Sequence, residues 1–103
     1  MKLLIILSIE EHTDIVRKIL ADEGVPMYSE TDIYGFKTDR HQPDLSNWFA
    51  HENDGTFSKL FFSIQTEEAV DNVLQSVKNY NAQHEDSKNY PLHAYQLNIE
   101  KHV

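Results

Sequence analysis

The stretch "LLIILSIEEHTDIVRKILADEG", residues 3–24, changes its periodicity part-way along, and that change decides the fold. Its first five residues form a continuous apolar run of strand length. Ser8, with Glu11 three residues on, gives a capping-box signature, so a helix is expected to start there. Ile15, Val16, Ile19 and Leu20 fall on one face of that helix, and Gly24 stands where a C-terminal cap belongs. The opening unit is therefore strand then helix. Just beyond it, residues 25–36, "VPMYSETDIYGF", mix β-branched and aromatic residues with polar ones after Pro26 and read as a second strand.

Further along, the plan recurs. "FSKLFFSI", residues 57–64, sets Leu60, Phe62 and Ile64 against Ser58, Lys59 and Ser63, with Phe57 and Phe61 on the more polar side. Thr66 is placed to cap a second helix, and Glu67 and Glu68 suit its positive N-terminal end. Ala69, Val70, Val73, Leu74 and Val77 supply its apolar stripe. "YPLHAYQLNI", residues 90–99, reads as a last strand with Tyr95, Leu97 and Ile99 on one face. The order βαββαβ predicts an α+β, ferredoxin-like domain with two helices on one face of a four-stranded antiparallel sheet. Residues 1–103 form a single domain with a long middle loop over 37–56.

The other face of such a sheet is bare in a monomer. Residues 3–7 are apolar at both parities, and Phe57 and Phe61 are expected to add to that face. An apolar patch of this kind marks an interface. Self-association through the sheet is therefore expected; the alternative is that the middle loop folds back over it.

Composition narrows the function. With 17 acidic and 9 basic residues the net charge is -8, which opposes binding to nucleic acid or an anionic membrane. No cysteine is present, so disulfides, thiolate chemistry and thiol-based zinc sites are excluded. The apolar start is followed by acids where a signal peptide would show small residues, and it is too short to span a bilayer. A soluble, cytoplasmic protein without direct membrane insertion is expected.

Residues 2–36, "KLLIILSIEEHTDIVRKILADEGVPMYSETDIYGF", resemble the first half of the PII nitrogen-regulatory proteins, in the strand, the helix ending in glycine and the second strand closing on "YGF". Residues 59–77 resemble that family's third strand and second helix, and the stretch between is about as long as its T-loop. The resemblance implies a homotrimer with sheets lining the centre. It also implies a signalling protein and not an enzyme, in which ligands set the T-loop and the loop docks on a target transporter or enzyme. On this reading Trp48 and Phe49, in "NWFAHENDGTF", are the candidate partner contacts, because aromatic side chains are enriched at interface hot spots. The other reading of Trp48 is that it packs against its own trimer and pins the loop.

The chain also departs from the family. The modified tyrosine of the T-loop and its tyrosine–arginine–glycine signature are missing from "DLSNWFAHEND". The family's glycine-rich phosphate loop is replaced by "NAQHEDSKNYP", which keeps only Asp86 and Lys88 in their D-x-K spacing, without glycine. The family's basic C-terminal residues do not appear before the final "EKHV". Gly35, Asp86 and Lys88 are the residues the resemblance points to for nucleotide. Glu85 and Asp86 set negative charge against a phosphate, so a divalent metal ion or another small effector is expected in preference to ATP or ADP.

The six histidines supply imidazole for such a metal. His41 and His51, with Glu52 and Asp54, share the middle loop and converge if it folds as a hairpin; otherwise they are solvated. Trimer symmetry is a second way to bring copies of one histidine together. CutA proteins and PII-like proteins associated with heavy-metal efflux share the fold, so a metal-binding protein of that type is the alternative. Catalysis is the weakest reading: His93 with Tyr95, or His51 with Asp54, can be written as acid–base pairs, but no specific catalytic motif accompanies them.

Overall fold

The computed structural model describes residues 1–36, 56–84 and 90–103. Its elements run β1 (Lys2–Ile9), a 3-10 turn (Glu10–His12), α1 (Thr13–Asp22), β2 (Ser29–Gly35), β3 (Thr56–Gln65), α2 (Glu67–Gln83) and β4 (His93–Asn98). The strands form one sheet in the order β2-β3-β1-β4, with every neighbouring pair antiparallel. This is the expected α+β, ferredoxin-like arrangement.

Local signals account for most of the boundaries. Gly24 has φ 75°, the left-handed conformation that glycine adopts without a Cβ penalty. Its N–H donates to the Ala21 carbonyl at 3.1 Å and that of Val25 to the Leu20 carbonyl at 2.9 Å. Those two bonds make a Schellman cap, and the burial of both Val25 and Leu20 supplies its hydrophobic contact. At α2, the Thr66 hydroxyl accepts from the Ala69 N–H at 3.2 Å, the N-cap bond expected of it.

The start of α1 differs from expectation. Ser8 does not cap the helix: it lies within β1, fully buried, with its hydroxyl lacking a hydrogen-bond partner among the described residues. The chain stays extended through Ile9 and then makes the 3-10 turn, so α1 begins only at Thr13. Thr13 Oγ1 donates to the Glu10 carbonyl at 2.6 Å and ties the turn to the helix.

The core lies between the two helices and one face of the sheet. Leu4 and Ile6 of β1, Val16 and Leu20 of α1, Phe61 of β3, and Val70, Val73 and Val77 of α2 are all buried there, with Val25 and Leu92 closing its margins. Ile15, Ile19, Leu74 and Ala94 pack around them.

Phe61 overturns an expectation. It sits opposite Ile6 in the register, 1% exposed, on the helix-covered side and not on the bare face. Phe57 shares that parity but lies beyond the helices, 57% exposed, with its ring 4.9 Å from that of Tyr34. Leu60, Phe62 and Ile64 take the opposite side. With aromatic residues at both parities of β3, alternation within the strand could not choose; pairing with Leu4 and Ile6 does.

Candidate functional site

The register defines the uncovered face. Directly opposed residues in an antiparallel pair point to the same side of the sheet. Leu3, Ile5 and Leu7 of β1 stand opposite Ile64, Phe62 and Leu60 of β3 on one flank and Leu97, Tyr95 and His93 of β4 on the other. On β2 the same side carries Ser29, Thr31, Ile33 and Gly35. Phe62, Ile64, Tyr95 and Leu97 are 42–53% exposed, whereas Leu4 and Ile6 on the other side of β1 are fully buried.

Every strand charge points the other way. Lys59 stands opposite Ser8 and Asp32, Glu30 opposite Phe61, and Lys2 opposite Gln65, all on the helix side. The open face therefore carries no aspartate, glutamate, lysine or arginine among the described strand residues, in a chain that is 25% charged. A sheet face meant for water usually alternates polar residues outward. This one presents contiguous apolar surface, as an interface does.

The charges on the helix side are committed to one another. Arg17 of α1 grips Glu30 with two hydrogen bonds, Nε and one terminal nitrogen each donating at 2.8 Å. Lys59 bonds Asp32 and lies 3.7 Å from Glu30. The bond from Arg17 holds the Glu30 carboxyl below its ordinary pKa, and Glu30 in turn raises that of Arg17. The bond to Asp32 raises Lys59. An open cleft beside this network is lined by Glu10, Glu11, Thr13, Asp14, Arg17 and Lys59. Its two cations are already paired, so it reads as an ion network tying α1 to the edge of the sheet.

A second feature is where the two long connections leave the fold. Gly35 pairs with Thr56 at the end of β2 and the start of β3, and Leu7 pairs with both Leu60 and His93. The end of β1, the end of β2 and the starts of β3 and β4 thus share one end of the sheet. The connections 37–55 and 85–89 both depart from that end. Asn81 fixes the root of the second: its amide donates to the Leu92 carbonyl at 2.8 Å and its side-chain oxygen accepts from the Leu92 N–H at 2.9 Å. Nearby on α2, the His84 ring stacks on Tyr80 at 4.1 Å, and Tyr80 meets His12 edge-on at 6.1 Å. His12 is buried, and its Nε2 has no hydrogen-bond partner among the described residues.

Of the site residues expected from sequence, the structure describes Gly35, buried at the end of β2. Trp48, Phe49, His41, His51, Glu52, Asp86 and Lys88 lie outside the described residues. Among the described residues no group of three or more acidic or histidine side chains is arranged to hold a metal ion. His93 and Tyr95 point to the same side of β4 with nearly parallel rings whose centres are 6.4 Å apart. Burial lowers the pKa of His93. No helix among the described residues is long and apolar enough to cross a membrane.

The same architecture occurs in solved structures. CPII, a nitrogen regulatory PII-like protein from Thiomonas intermedia K12 bound to ADP, AMP and bicarbonate, superposes with a TM-score of 0.60 over 99% of this chain and 94% of its own, at 14% identity. This is the PII-like fold. The apo form of CPII gives a TM-score of 0.61 at 15% identity, covering 95% of this chain and 89% of CPII. A PII-like signaling protein from Thermus thermophilus gives 0.60 at 20% identity, covering 95% and 85%. No family model matches the sequence, and no curated protein matches it either. The likeness is thus one of fold, and it extends over 95–99% of this chain and 85–94% of those chains.

What the residue pattern alone missed is the extent of the open face. The two-sided run over 3–7 is visible in the sequence, but Phe62 and Ile64 join it only through the register. The available signal was the charge on alternate residues of β2: Glu30 and Asp32 mark one side and leave Ser29, Thr31 and Ile33 on the other.

Proposed function

We propose that the chain is a divergent PII-like signalling protein: a non-catalytic, cytoplasmic homotrimer that senses a small effector or a metal ion and contacts a target transporter or enzyme through residues 37–56. The observation that carries this reading is the charge-free apolar face of the sheet on a PII-like fold. A second copy of the chain is the occupant that matches it. Among the described strand residues the face offers no aspartate, glutamate, lysine or arginine for a different partner to complement, and its own copy presents the same apolar strand surface. Fully burying each aliphatic or aromatic side chain contributes roughly 1.5–3 kcal/mol before the costs of association. The number three comes from the family resemblance.

The effector end is supported by topology. The described residues at which both long connections leave the fold, Gly35, Thr56 and His93, stand at the same end of the sheet. CPII holds ADP, AMP and bicarbonate. Here Glu85, Asp86 and the absence of glycine from 81–91 disfavour a phosphate chain and favour a cation or another small effector. Calorimetric titration of the protein with ADP, ATP, bicarbonate, zinc and copper, each alone, tests this. A saturable heat with zinc, copper or bicarbonate is the expected result. No heat from any of the five would contradict an effector-sensing role.

A further inference from the structure

Tyr34, Phe36 and Phe57 make a second apolar patch, separate from the open face. Tyr34 and Phe57 stand opposite each other in the register, on the helix side of the sheet, yet the three side chains are 57–63% exposed. The ring of Tyr34 lies 4.9 Å from that of Phe57 and 6.4 Å from that of Phe36, tilted by 48° and 32°. Rings packed side by side at these angles form an exposed platform, and contiguous apolar surface of this kind marks a contact site. We propose that this platform, with the acidic cleft that adjoins it, docks an arginine-bearing basic segment of a target protein. The inference rests on the reading of the chain as a target-contacting protein and names the chemistry of one contact.

Charge selects the occupant. Ile9, the last residue of β1, stands opposite Ser58, the neighbour of Phe57, so the turn that carries Glu10 and Glu11 starts beside the platform. Lys59 follows Phe57 on the same side of β3 and lines one cleft with Glu10, Glu11, Asp14 and Arg17. Both cations of that cleft are spent, Arg17 on Glu30 and Lys59 on Asp32. Glu10 and Glu11 are exposed and have no ion-pair partner among the described residues. Asp14 is almost fully exposed, with Arg17 no nearer than 3.6 Å. The cleft therefore sets uncompensated negative charge against one border of the rings.

A guanidinium stacks its plane on an aromatic face and donates from its edge to carboxylates, so arginine uses the rings and the acids at once. The compact, strongly hydrated ammonium of lysine finds the acids but gains less from the rings. A second copy of this chain does not suit the surface, because it brings the same carboxylates and a net charge of -8. Nucleic acid and anionic lipid are repelled for the same reason.

Fluorescence anisotropy of a labelled nonapeptide of alternating arginine and leucine, titrated with the native chain at about 0.15 M salt, tests this, with lysine or glutamate replacing every arginine in two control peptides. The arginine peptide should bind about threefold or more tighter than the lysine one, and the glutamate peptide should not bind. Phe36 follows β2 and is exposed, so Phe36→Ser leaves the strand pairs in place; Tyr34→Ser is the second ring variant. Each ring variant, and Glu10→Gln combined with Glu11→Gln, should weaken the arginine peptide about fivefold or more. Glu68→Gln combined with Asp71→Asn, the same change of charge on α2, should stay within about twofold of the native chain. Ring variants that bind like the native chain, equal weakening by the α2 pair, or an arginine peptide no tighter than its lysine counterpart would overturn the docking surface. A native chain that assembles and takes an effector but binds no arginine peptide overturns the docking surface alone. One that remains a single chain, gives no effector heat and binds no peptide removes the target-contacting reading with it.

Discussion

Glu30 shows how one carboxylate fixes an edge strand to a helix. It faces the covered side of β2, opposite Phe61, and receives both donors of Arg17, while Lys59 stands 3.7 Å away. A bidentate guanidinium–carboxylate pair has better-defined geometry than an ordinary surface ion pair. Because Glu30 is held below its ordinary 4.5, its stabilising contribution is fully present above that value and is lost as pH falls through the depressed one. Glu30→Gln should therefore lower stability at pH 7 and flatten the loss of stability on acidification below pH 4.5, read from urea midpoints across a pH series. Parallel profiles for the native chain and the variant would remove Glu30 from that role. Solvent screens part of the pair, so its effect is smaller than that of a core truncation.

At the scale of elements, β3 is the informative strand. Phe61 and Phe62 are adjacent and identical in chemistry, yet one is 1% exposed in the core and the other 42% exposed on the open face. Phe61→Ala should cost about 3–5 kcal/mol of fold stability, the usual range for truncating a buried phenylalanine. Phe62→Ala should cost the single chain far less and instead weaken assembly, which urea unfolding and light scattering separate. Equal losses of fold stability, with no change in mass for Phe62→Ala, would contradict the assigned faces. This pair also marks how far the sequence could be read. Gly24 and Thr66 were legible because caps depend on local backbone geometry, and both form the bonds expected of them. The apolar stripe of α2 was legible because its spacing is helical, and Val70, Val73 and Val77 are buried. The parity of β3 was not, since it depends on a partner strand distant in sequence. Ser8 misled for a similar reason: its capping pattern is local, but pairing with Lys59 extends β1 through it. Of the candidate site only Gly35 is described, so the loop residues Trp48, Phe49, His41, His51 and Glu52 rest on the sequence and the resemblance.

For the whole molecule, the proposed reading gives the fold two tasks at separate locations. Charges gather on the helices and on the covered side of the strands, leaving one sheet face without any among the described residues. The connections that carry the candidate effector and partner residues leave together from one end of that sheet. A chain with net charge -8 repels its own copies at long range, so on the proposed reading association runs through the strand face that lacks charge among the described residues. Added salt screens the repulsion and should tighten assembly, the opposite of an interface held by salt bridges. The most direct test of this account is the mass of the native chain in solution at pH 8, by light scattering coupled to size exclusion. A mass of about 36 kDa, three times the 12.0 kDa of one chain, is the predicted result. A mass of one chain at every accessible concentration would contradict the open face as an interface and, with it, the PII-like reading of function.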